Sequence, residues 1–324
     1  MASPSEESAS PVARRVTSTD GVGLAVTEHG DPTAPTIVLV HGYPDTSELW
    51  DGVVQRLRDD FHVVTYDVRG AGRSDRPRRI RDYAMRQLSD DLLSVIDAVA
   101  PGESVHLVGH DWGGIQSWES AARPETAARL SSYTAIAGPS LDLAAVGASA
   151  KRKRGELAPR DTVKQLIKSW YILSFHLPFA APLLWRHYLG RTWAQAFRRT
   201  EGVWPPEGHP AETITEDGID GIKLYRRNML PRLLRPRYRR VDVPLVQVGI
   251  TLRDAFIAPD IYDELPGRMP ELWFRRADAT HWIPVLAPET VAGWVRDAVE
   301  YREAGGADGT AAVPADAERH RAES

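Results

Sequence analysis

The sequence contains no cysteine, and this absence excludes several kinds of site. A chain of 324 residues without a thiol has neither disulfide bonds nor thiolate metal centres. Such a composition is typical of proteins from a reducing cytoplasm, which is the location we expect.

Long apolar runs are also missing. No stretch approaches the ~20 apolar residues that cross a bilayer, and the acidic and small residues at positions 1–10 contain no hydrophobic segment of a signal peptide. The formal net charge is only −4 at pH 7, which gives no wide basic surface for nucleic acid. We therefore expect neither a membrane nor a nucleic-acid partner.

Short apolar runs alternate with amphipathic stretches along most of the chain. Residues 16–20 and 23–29 flank Asp20-Gly21, which indicates a β-hairpin. The apolar runs predict buried strands at residues 36–40, 61–66, 105–108, 131–136, 244–250 and 271–275. Helices are predicted at residues 47–60, 83–100, 113–130 and 288–301. The alternation predicts an α/β fold with a mostly parallel central sheet and helices on both faces.

Between residues 140 and 238 the strand signal disappears. This segment is rich in Arg, Leu and Trp and is interrupted by prolines, which favours several short helices. We expect it to form a helical cap inserted into an α/β core made of residues 16–139 and 239–303. Residues 1–15 and 304–324 are dominated by small and polar residues and are expected to be disordered.

The motif G-H-D-W-G-G at residues 109–114 follows one predicted strand and precedes a helix. Its spacing is that of a nucleophile elbow, in which flanking glycines let the backbone pass close to a side chain on a sharp turn. Asp111 stands at the centre. A carboxylate there would attack a saturated carbon that carries a leaving group and form an ester. Alternatively, Asp111 caps the helix that starts at Trp112, but a cap does not account for the glycines.

Two further residues lie just past predicted strands. Asp254 follows the strand at 244–250, and His281 follows the strand at 271–275. In open α/β sheets the loops at the carboxyl ends of strands build the site, so we expect both residues near Asp111. The chain order is nucleophile, acid, histidine. Taken singly, Asp254 would be a turn residue and His281 a packed histidine.

The motif H-G-Y-P at residues 41–44 also follows a predicted strand. In this position a loop supplies one backbone N–H of an oxyanion hole, and the residue after the nucleophile supplies the other. Tyr43 and Trp112 are the expected donors, although H-G-Y-P alone would fit a plain turn. No histidines have the spacing of a metal site, so no metal is expected.

With these residues the sequence resembles the α/β-hydrolase family, specifically the epoxide hydrolases, with haloalkane dehalogenases as close relatives. The resemblance rests on residues 41–44 and 109–114, on Asp254 and on T-H-W at 280–282, and it extends from about residue 16 to residue 303. It implies the α/β-hydrolase fold and a hydrolase that needs no cofactor. The substrate contacts that it implies are His41, Pro44, Trp112 and Trp282.

Epoxide hydrolases of this kind carry two cap tyrosines that donate hydrogen bonds to the epoxide oxygen. One precedes an F-Q-x-P pattern and the other lies in W-Y-R-x-N-M. Here residues 170–178 read W-Y-I-L-S-F-H-L-P and residues 224–229 read L-Y-R-R-N-M, so Tyr171 and Tyr225 match. His176 and Leu224 depart from the pattern, which bears on the shape of the substrate. Either tyrosine would also fit a packed side chain with its hydroxyl at the surface.

The resemblance implies that an apolar epoxide and water are converted to a vicinal diol. Asp111 forms an alkyl ester, and water activated by His281, which Asp254 orients, then hydrolyses it. One alternative is a haloalkane or haloacid dehalogenase that uses the same three residues. Another is a non-catalytic ligand-binding protein that reuses the fold.

Overall fold

The computed structural model describes residues 10–156, 170–177, 179–237, 240–306 and 311–322. Within these residues, nine strands form one sheet in the order β1-β2-β4-β3-β5-β6-β7-β8-β9. The strands are Val12–Thr17 (β1), Gly23–His29 (β2), Thr36–Val40 (β3), His62–Tyr66 (β4), Val105–His110 (β5), Leu130–Ile136 (β6), Val246–Thr251 (β7), Glu271–Ala277 (β8) and Ala317–Arg321 (β9).

The six strands from β3 to β8 pair in parallel, as the apolar runs predict. Every residue of β3, β4, β5 and β7 is buried, which explains why these strands read as continuous apolar runs. Parallel strands end at the same edge of the sheet, so the loops after β3, β5, β7 and β8 gather there. That edge carries the predicted site residues of the α/β core, whereas Tyr171 and Tyr225 belong to helical turns between β6 and β7.

Helices cover both faces of the sheet. Helices α2 and α3 pack on one face, while α1 and α12 pack together on the other. The helices are Asp51–Leu57 (α1), Met85–Val99 (α2), Trp112–Ala121 (α3), Pro124–Ala127 (α4), Leu141–Lys153 (α5), Trp170–Phe175 (α6), Ala180–Leu184 (α7), Gly190–Glu201 (α8), Ile214–Leu224 (α9), Leu230–Leu234 (α10), Ile283–Leu286 (α11) and Pro288–Glu303 (α12). Short 3-10 turns span Ser47–Trp50, Ile80–Tyr83 and Pro259–Tyr262.

Between β6 and β7, the part of the chain that is described contains helices and loops but no strand. Two π-helical turns occur there: Trp185–Leu189 links α7 to α8, and Tyr225–Met229 links α9 to α10. We call residues 140–237 the helical segment. No described helix anywhere in the chain has both the length and the apolar character needed to cross a bilayer.

The two ends of the chain depart from the expected disorder. Strand β1 begins at Val12 and pairs antiparallel with β2, which confirms the hairpin but places residues 12–15 in a strand. Strand β9 pairs antiparallel with β8, so residues 317–321 are ordered too. The physical reason is the same at both ends, since each segment pairs with the exposed edge of a sheet. Residues 1–9, 307–310 and 323–324 lie outside the described chain.

Candidate active site

Asp111 stands on a sharp turn between β5 and α3, as the motif predicts. Its φ of 49° and ψ of −121° lie outside the regions that most residues adopt. The flanking glycines permit this turn. A Cβ on Gly109 would come within 2.5 Å of the Gly113 carbonyl oxygen, and one on Gly113 within 2.0 Å of the Val40 carbonyl oxygen. The Asp111 side chain makes no capping hydrogen bond to α3, so the helix-cap interpretation is wrong.

The Asp111 carboxylate is buried and is bound by the loop after β3. The backbone N–H of Tyr43 donates to Oδ1 over 2.8 Å. Burial raises the pKa of Asp111 to about 6, although the charge of His281 and the amides of Tyr43 and Trp112 act to lower it. The two expected oxyanion donors, Tyr43 and Trp112, therefore meet at this carboxylate.

The structure also brings His281 and Asp254 to Asp111. His281 lies in the loop after β8, and its Nε2 is 3.7 Å from Oδ2 of Asp111. Its Nδ1 is 2.8 Å from Oδ2 of Asp254, which follows β7. The imidazole thus lies between two carboxylates, and all three side chains are buried.

Asp254 is held by several donors besides His281. Its Oδ1 accepts the backbone N–H groups of Phe256 and Ile257 over 2.7 and 2.9 Å. Its Oδ2 also accepts the Thr251 hydroxyl over 3.0 Å. Burial alone would raise its pKa, but the charge and hydrogen bond of His281 and the two amides lower the pKa to about 2. Asp254 therefore stays ionised and orients the imidazole.

The pKa of His281 is shifted upward by the same neighbours. Burial alone would lower it, but the charges of Asp254 and Asp111 and the Asp254 hydrogen bond raise it to about 9. The Asp111 contribution depends on the charge of that carboxylate. Any reaction that neutralises Asp111 would therefore lower the pKa of His281.

His110 is a neighbour of this site that was not among the predicted residues. Its ring centroid lies 4.9 Å from that of His281, and its Nε2 lies 2.9 Å from the His281 carbonyl oxygen. Because a carbonyl only accepts, Nε2 carries the proton. Burial, with a smaller effect from His281, lowers the pKa of His110 to about 3, so its ring is neutral. Its place beside Asp111 in the elbow motif is the only sequence signal for it.

The H-G-Y-P loop is more than a plain turn. Nδ1 of His41 donates to the Gly42 carbonyl over 2.9 Å, and Nε2 accepts the Val68 N–H over 2.8 Å. Both ring nitrogens of His41 are thus used inside the protein. His41 also lines a small cavity beside this loop, and its predicted contact with a substrate remains a prediction.

The same loop contacts the helical segment. The Tyr43 hydroxyl donates to the Gly218 carbonyl in α9 over 2.9 Å. The Tyr43–Pro44 peptide bond is cis. Pro44 and Trp112 both line a small cavity beside α9. Their predicted contact with a substrate remains a prediction.

Tyr225 comes from the helical segment and reaches the same loop. It is buried, and its ring centroid lies 4.8 Å from that of Trp112 and 5.2 Å from that of Tyr43. Asn228, in the same π-helical turn, anchors it to the core because its Nδ2 donates to the Tyr83 carbonyl over 2.8 Å. Tyr171 belongs to α6, but its side chain lies outside the described part of the structure.

Trp282 follows His281 and is buried. Its backbone N–H donates to Oε2 of Glu201 over 3.1 Å, and its Nε1–H donates to Oδ2 of Asp45 over 2.9 Å. Both N–H groups of Trp282 thus have partners within the protein, and its predicted contact with a substrate remains a prediction. Neither carboxylate was predicted. Asp45 directly follows H-G-Y-P, whereas Glu201 has no sequence signal.

Metal-ligating side chains do not cluster in the described residues: no group of three or more His, Asp or Glu there could hold a metal ion. The site therefore consists of a carboxylate on an elbow, an imidazole, a second carboxylate and amide donors. This arrangement can attack an electrophile through Asp111 and activate water through His281.

Comparisons with known sequences give the following relatives. A family model for the alpha/beta hydrolase fold matches residues 35–288. Probable oxidoreductase EphD of Mycobacterium tuberculosis is 37% identical over 293 residues, which are 88% of this chain and 49% of that protein. Epoxide hydrolase A of the same organism is 37% identical over 133 residues, which are 41% of this chain and 40% of that protein. The chain thus spans about half the length, or less, of these curated relatives.

A solved structure has the same architecture. A mutant epoxide hydrolase from Bacillus megaterium, complexed with its naphthyloxy-propane-1,2-diol product, superposes with a TM-score of 0.71 at 20% identity and covers 89% of this chain and 100% of that one. At this identity the likeness shows the fold alone. The family model covers more than three quarters of the chain, including the elbow and both loops that carry Asp254 and His281. On the shared sheet, elbow and sequence match, the chain belongs to the α/β-hydrolase family.

Proposed function

We propose that this protein is an epoxide hydrolase that converts an apolar epoxide to a vicinal diol without a cofactor. The observation that carries the proposal is the carboxylate of Asp111 on the elbow, bound through Oδ1 to the Tyr43 amide and facing His281 through Oδ2. The relatives named epoxide hydrolase support it. The helical segment acts as the cap over this site.

In the first step Asp111 opens the epoxide. Oδ2 attacks a ring carbon, the bond from that carbon to the ring oxygen breaks, and a hydroxyalkyl ester of Asp111 forms. The ring oxygen develops negative charge and takes a proton from a tyrosine hydroxyl. Tyr225 supplies this donor from the helical segment, where it packs against Trp112 and Tyr43. Tyr171 is the second predicted donor.

In the second step water cleaves the ester. His281 takes a proton from water as the water oxygen bonds to Cγ of Asp111, and the amides of Tyr43 and Trp112 stabilise the oxyanion. The tetrahedral intermediate collapses, the bond from Cγ to Oδ2 breaks, and the diol oxygen takes the proton from His281. The restored carboxylic acid returns a proton to the tyrosinate. Esterification neutralises Asp111, so the pKa of His281 falls when the imidazole must act as a base.

The experiment that tests this proposal is a trap of the ester. We expect His281→Gln to open styrene oxide but not to hydrolyse the ester, since the variant keeps Asp111 and loses the base. Intact-protein mass spectrometry should then show one added styrene oxide per chain. Asp111→Asn in the same background is the matched control and should show no adduct. A His281→Gln protein that stays unmodified while the wild type forms diol would contradict the proposal.

A dehalogenase is the second candidate, and one observation favours it. The indole Nε1 atoms of Trp112 and Trp185 are buried and have no hydrogen-bond partner among the described residues. The Trp185 ring lies 5.9 Å from Tyr43, which places it at the same loop. Two such N–H donors suit a departing halide. Halide release from a panel of chloroalkanes, measured beside diol formation from epoxides, separates the two activities.

A further inference from the structure

We propose that Glu201 is a positioning residue for His281 that acts through Trp282, with Asp45 as a second support. The inference rests on the proposed two-step function, because it concerns the step that His281 performs. It assigns to the helical segment a part in ester hydrolysis besides covering the site.

Trp282 is held at two separate points by buried carboxylates. Glu201 accepts its backbone N–H over 3.1 Å, and Asp45 accepts its ring Nε1–H over 2.9 Å. Only 7% of Glu201 and 4% of Asp45 is exposed. Trp282 is the next residue in the chain after His281. The contacts that hold its backbone and its ring therefore also hold the backbone of the loop that carries His281.

Helix α8 carries Glu201 on the same face as two aromatic side chains. Trp193, Phe197 and Glu201 are spaced four residues apart and therefore lie on one face of the helix. The rings of Trp193 and Phe197 lie 5.6 and 5.3 Å from the Trp282 ring. This face of α8 thus packs on the residue that follows His281.

The loop that carries His281 and Trp282 also packs against Phe256. The Phe256 ring lies 5.0 Å from His281 and 5.7 Å from Trp282. The amide of Phe256 also binds Asp254. Trp282 is therefore held between α8 and the loop that carries Asp254, so a shift of α8 would reach His281.

The buried positions of the Glu201 and Asp45 carboxylates are energetically unfavourable. Oε1 of Glu201 and Oδ1 of Asp45 are buried without a hydrogen-bond partner among the described residues. Nε2 of His209 is 3.7 Å from Oδ1 of Asp45, beyond hydrogen-bond distance. Buried carboxylate oxygens without partners are unfavourable, and such groups concentrate at functional sites.

Glu201 should affect one step of the reaction and not the other. Asp111, which performs the first step, is held by the amides of Tyr43 and Trp112 on the core side. His281 acts as a base only in the second step. A misplaced imidazole therefore slows ester hydrolysis, while epoxide opening continues. Asp45 lies two residues from Tyr43 and would disturb both steps, so Glu201 is the cleaner probe.

The test compares Glu201→Met with Glu201→Gln. Methionine has a similar volume but removes the oxygen acceptor, whereas glutamine keeps an acceptor for the Trp282 N–H. In single-turnover experiments with styrene oxide, we expect Glu201→Met to hydrolyse the ester about tenfold to a hundredfold more slowly and to open the epoxide within about twofold of wild type. The ester should accumulate in the mass spectrum. Glu201→Gln should restore most of the hydrolysis rate.

Glu207→Met is the matched control, because Glu207 lies in the same helical segment and is exposed. It should leave both rates unchanged. Equal slowing of both steps in Glu201→Met, or unchanged hydrolysis, would overturn the inference. If Glu201→Met does not fold, Phe197→Leu keeps Glu201 but loosens the packing of α8 on the Trp282 ring, and it should slow hydrolysis selectively as well. Absence of the ester from His281→Gln would instead refute the proposed function.

Discussion

At the scale of single residues, Asp111 combines a buried position with a task that needs charge. Its pKa of about 6 follows from burial, which outweighs the stabilising contacts of His281 and two amides. Its two oxygens have different surroundings, because Oδ1 is held by Tyr43 while Oδ2 faces His281. One oxygen is thereby kept in the oxyanion hole and the other is left to react.

This raised pKa predicts an acid limit for epoxide opening. Below about pH 6 the Asp111 carboxylate is increasingly protonated and cannot attack, so we expect the rate constant for ester formation to fall about tenfold per pH unit. Rapid-quench measurements on the His281→Gln variant would isolate this step. Because the charge of His281 lowers the pKa of Asp111, the acid limit in this variant should lie at a somewhat higher pH than in the wild type. A rate constant that stays flat from pH 7 to pH 4.5 would show that Asp111 ionises at its ordinary value.

At the scale of elements, the elbow requires glycine at positions where a second segment of backbone passes close by. Gly113→Ala would place a Cβ 2.0 Å from the Val40 carbonyl oxygen, and neither backbone can move without displacing β3 or α3. We expect the free energy of unfolding to fall by about 3 kcal/mol or more. Urea denaturation followed by circular dichroism measures the loss.

Gly293 in α12 is the matched control for this prediction. A Cβ there meets no heavy atom within 4 Å, and the residue lies inside a helix. Gly293→Ala should raise the free energy of unfolding by about 0.5–1 kcal/mol through helix propensity. Similar effects of the two substitutions would mean that close contact at the elbow is not what requires glycine there.

The elements that could be predicted from the sequence are those with a local signal. The elbow was recognisable because glycine spacing follows directly from backbone contacts, and the positions of Asp254 and His281 followed from strand ends. Strand β9 had no such signal, since charged residues such as Glu318 and Arg319 form a strand only beside the free edge of β8. The bond between Glu201 and Trp282 joins residues 81 positions apart, and only the docking of α8 creates it.

At the scale of the whole molecule, Arg69 ties three parts of the chain together. Its guanidinium is fully buried and donates two hydrogen bonds of 2.5 Å to Asp91 in α2. It also binds Asp20 of the hairpin over 2.9 Å and the Asp82 carbonyl over 2.8 Å. The hairpin, the loop after β4 and helix α2 therefore share one buried cation.

Arg69→Met should destabilise the fold by about 3–5 kcal/mol, because it leaves the buried Asp91 carboxylate with the Ser18 hydroxyl but without its cationic partner. Burial raises the pKa of Asp91 even with Arg69 present, and removing the cation raises it further. A raised pKa means stability that is lost as pH rises, so the deficit should be larger at pH 8 than at pH 5. Denaturant titrations at both pH values measure it.

Arg240→Met provides the comparison for that prediction. Arg240 pairs with Asp242 at the surface, where the two side chains are 79% and 63% exposed. Its loss should change the free energy of unfolding by less than about 1 kcal/mol at either pH. Equal effects at the two sites would mean that the buried position of Arg69 does not matter.

The order in which the sheet is completed follows from strand β9. Strand β8 exposes the backbone groups of its outer edge until residues 317–321 arrive. During synthesis the amino-terminal parts of a chain emerge and begin to fold first. A ribosome that stalls before residues 317–321 emerge would therefore hold out a nascent sheet with an unpaired edge, a species prone to aggregate before release.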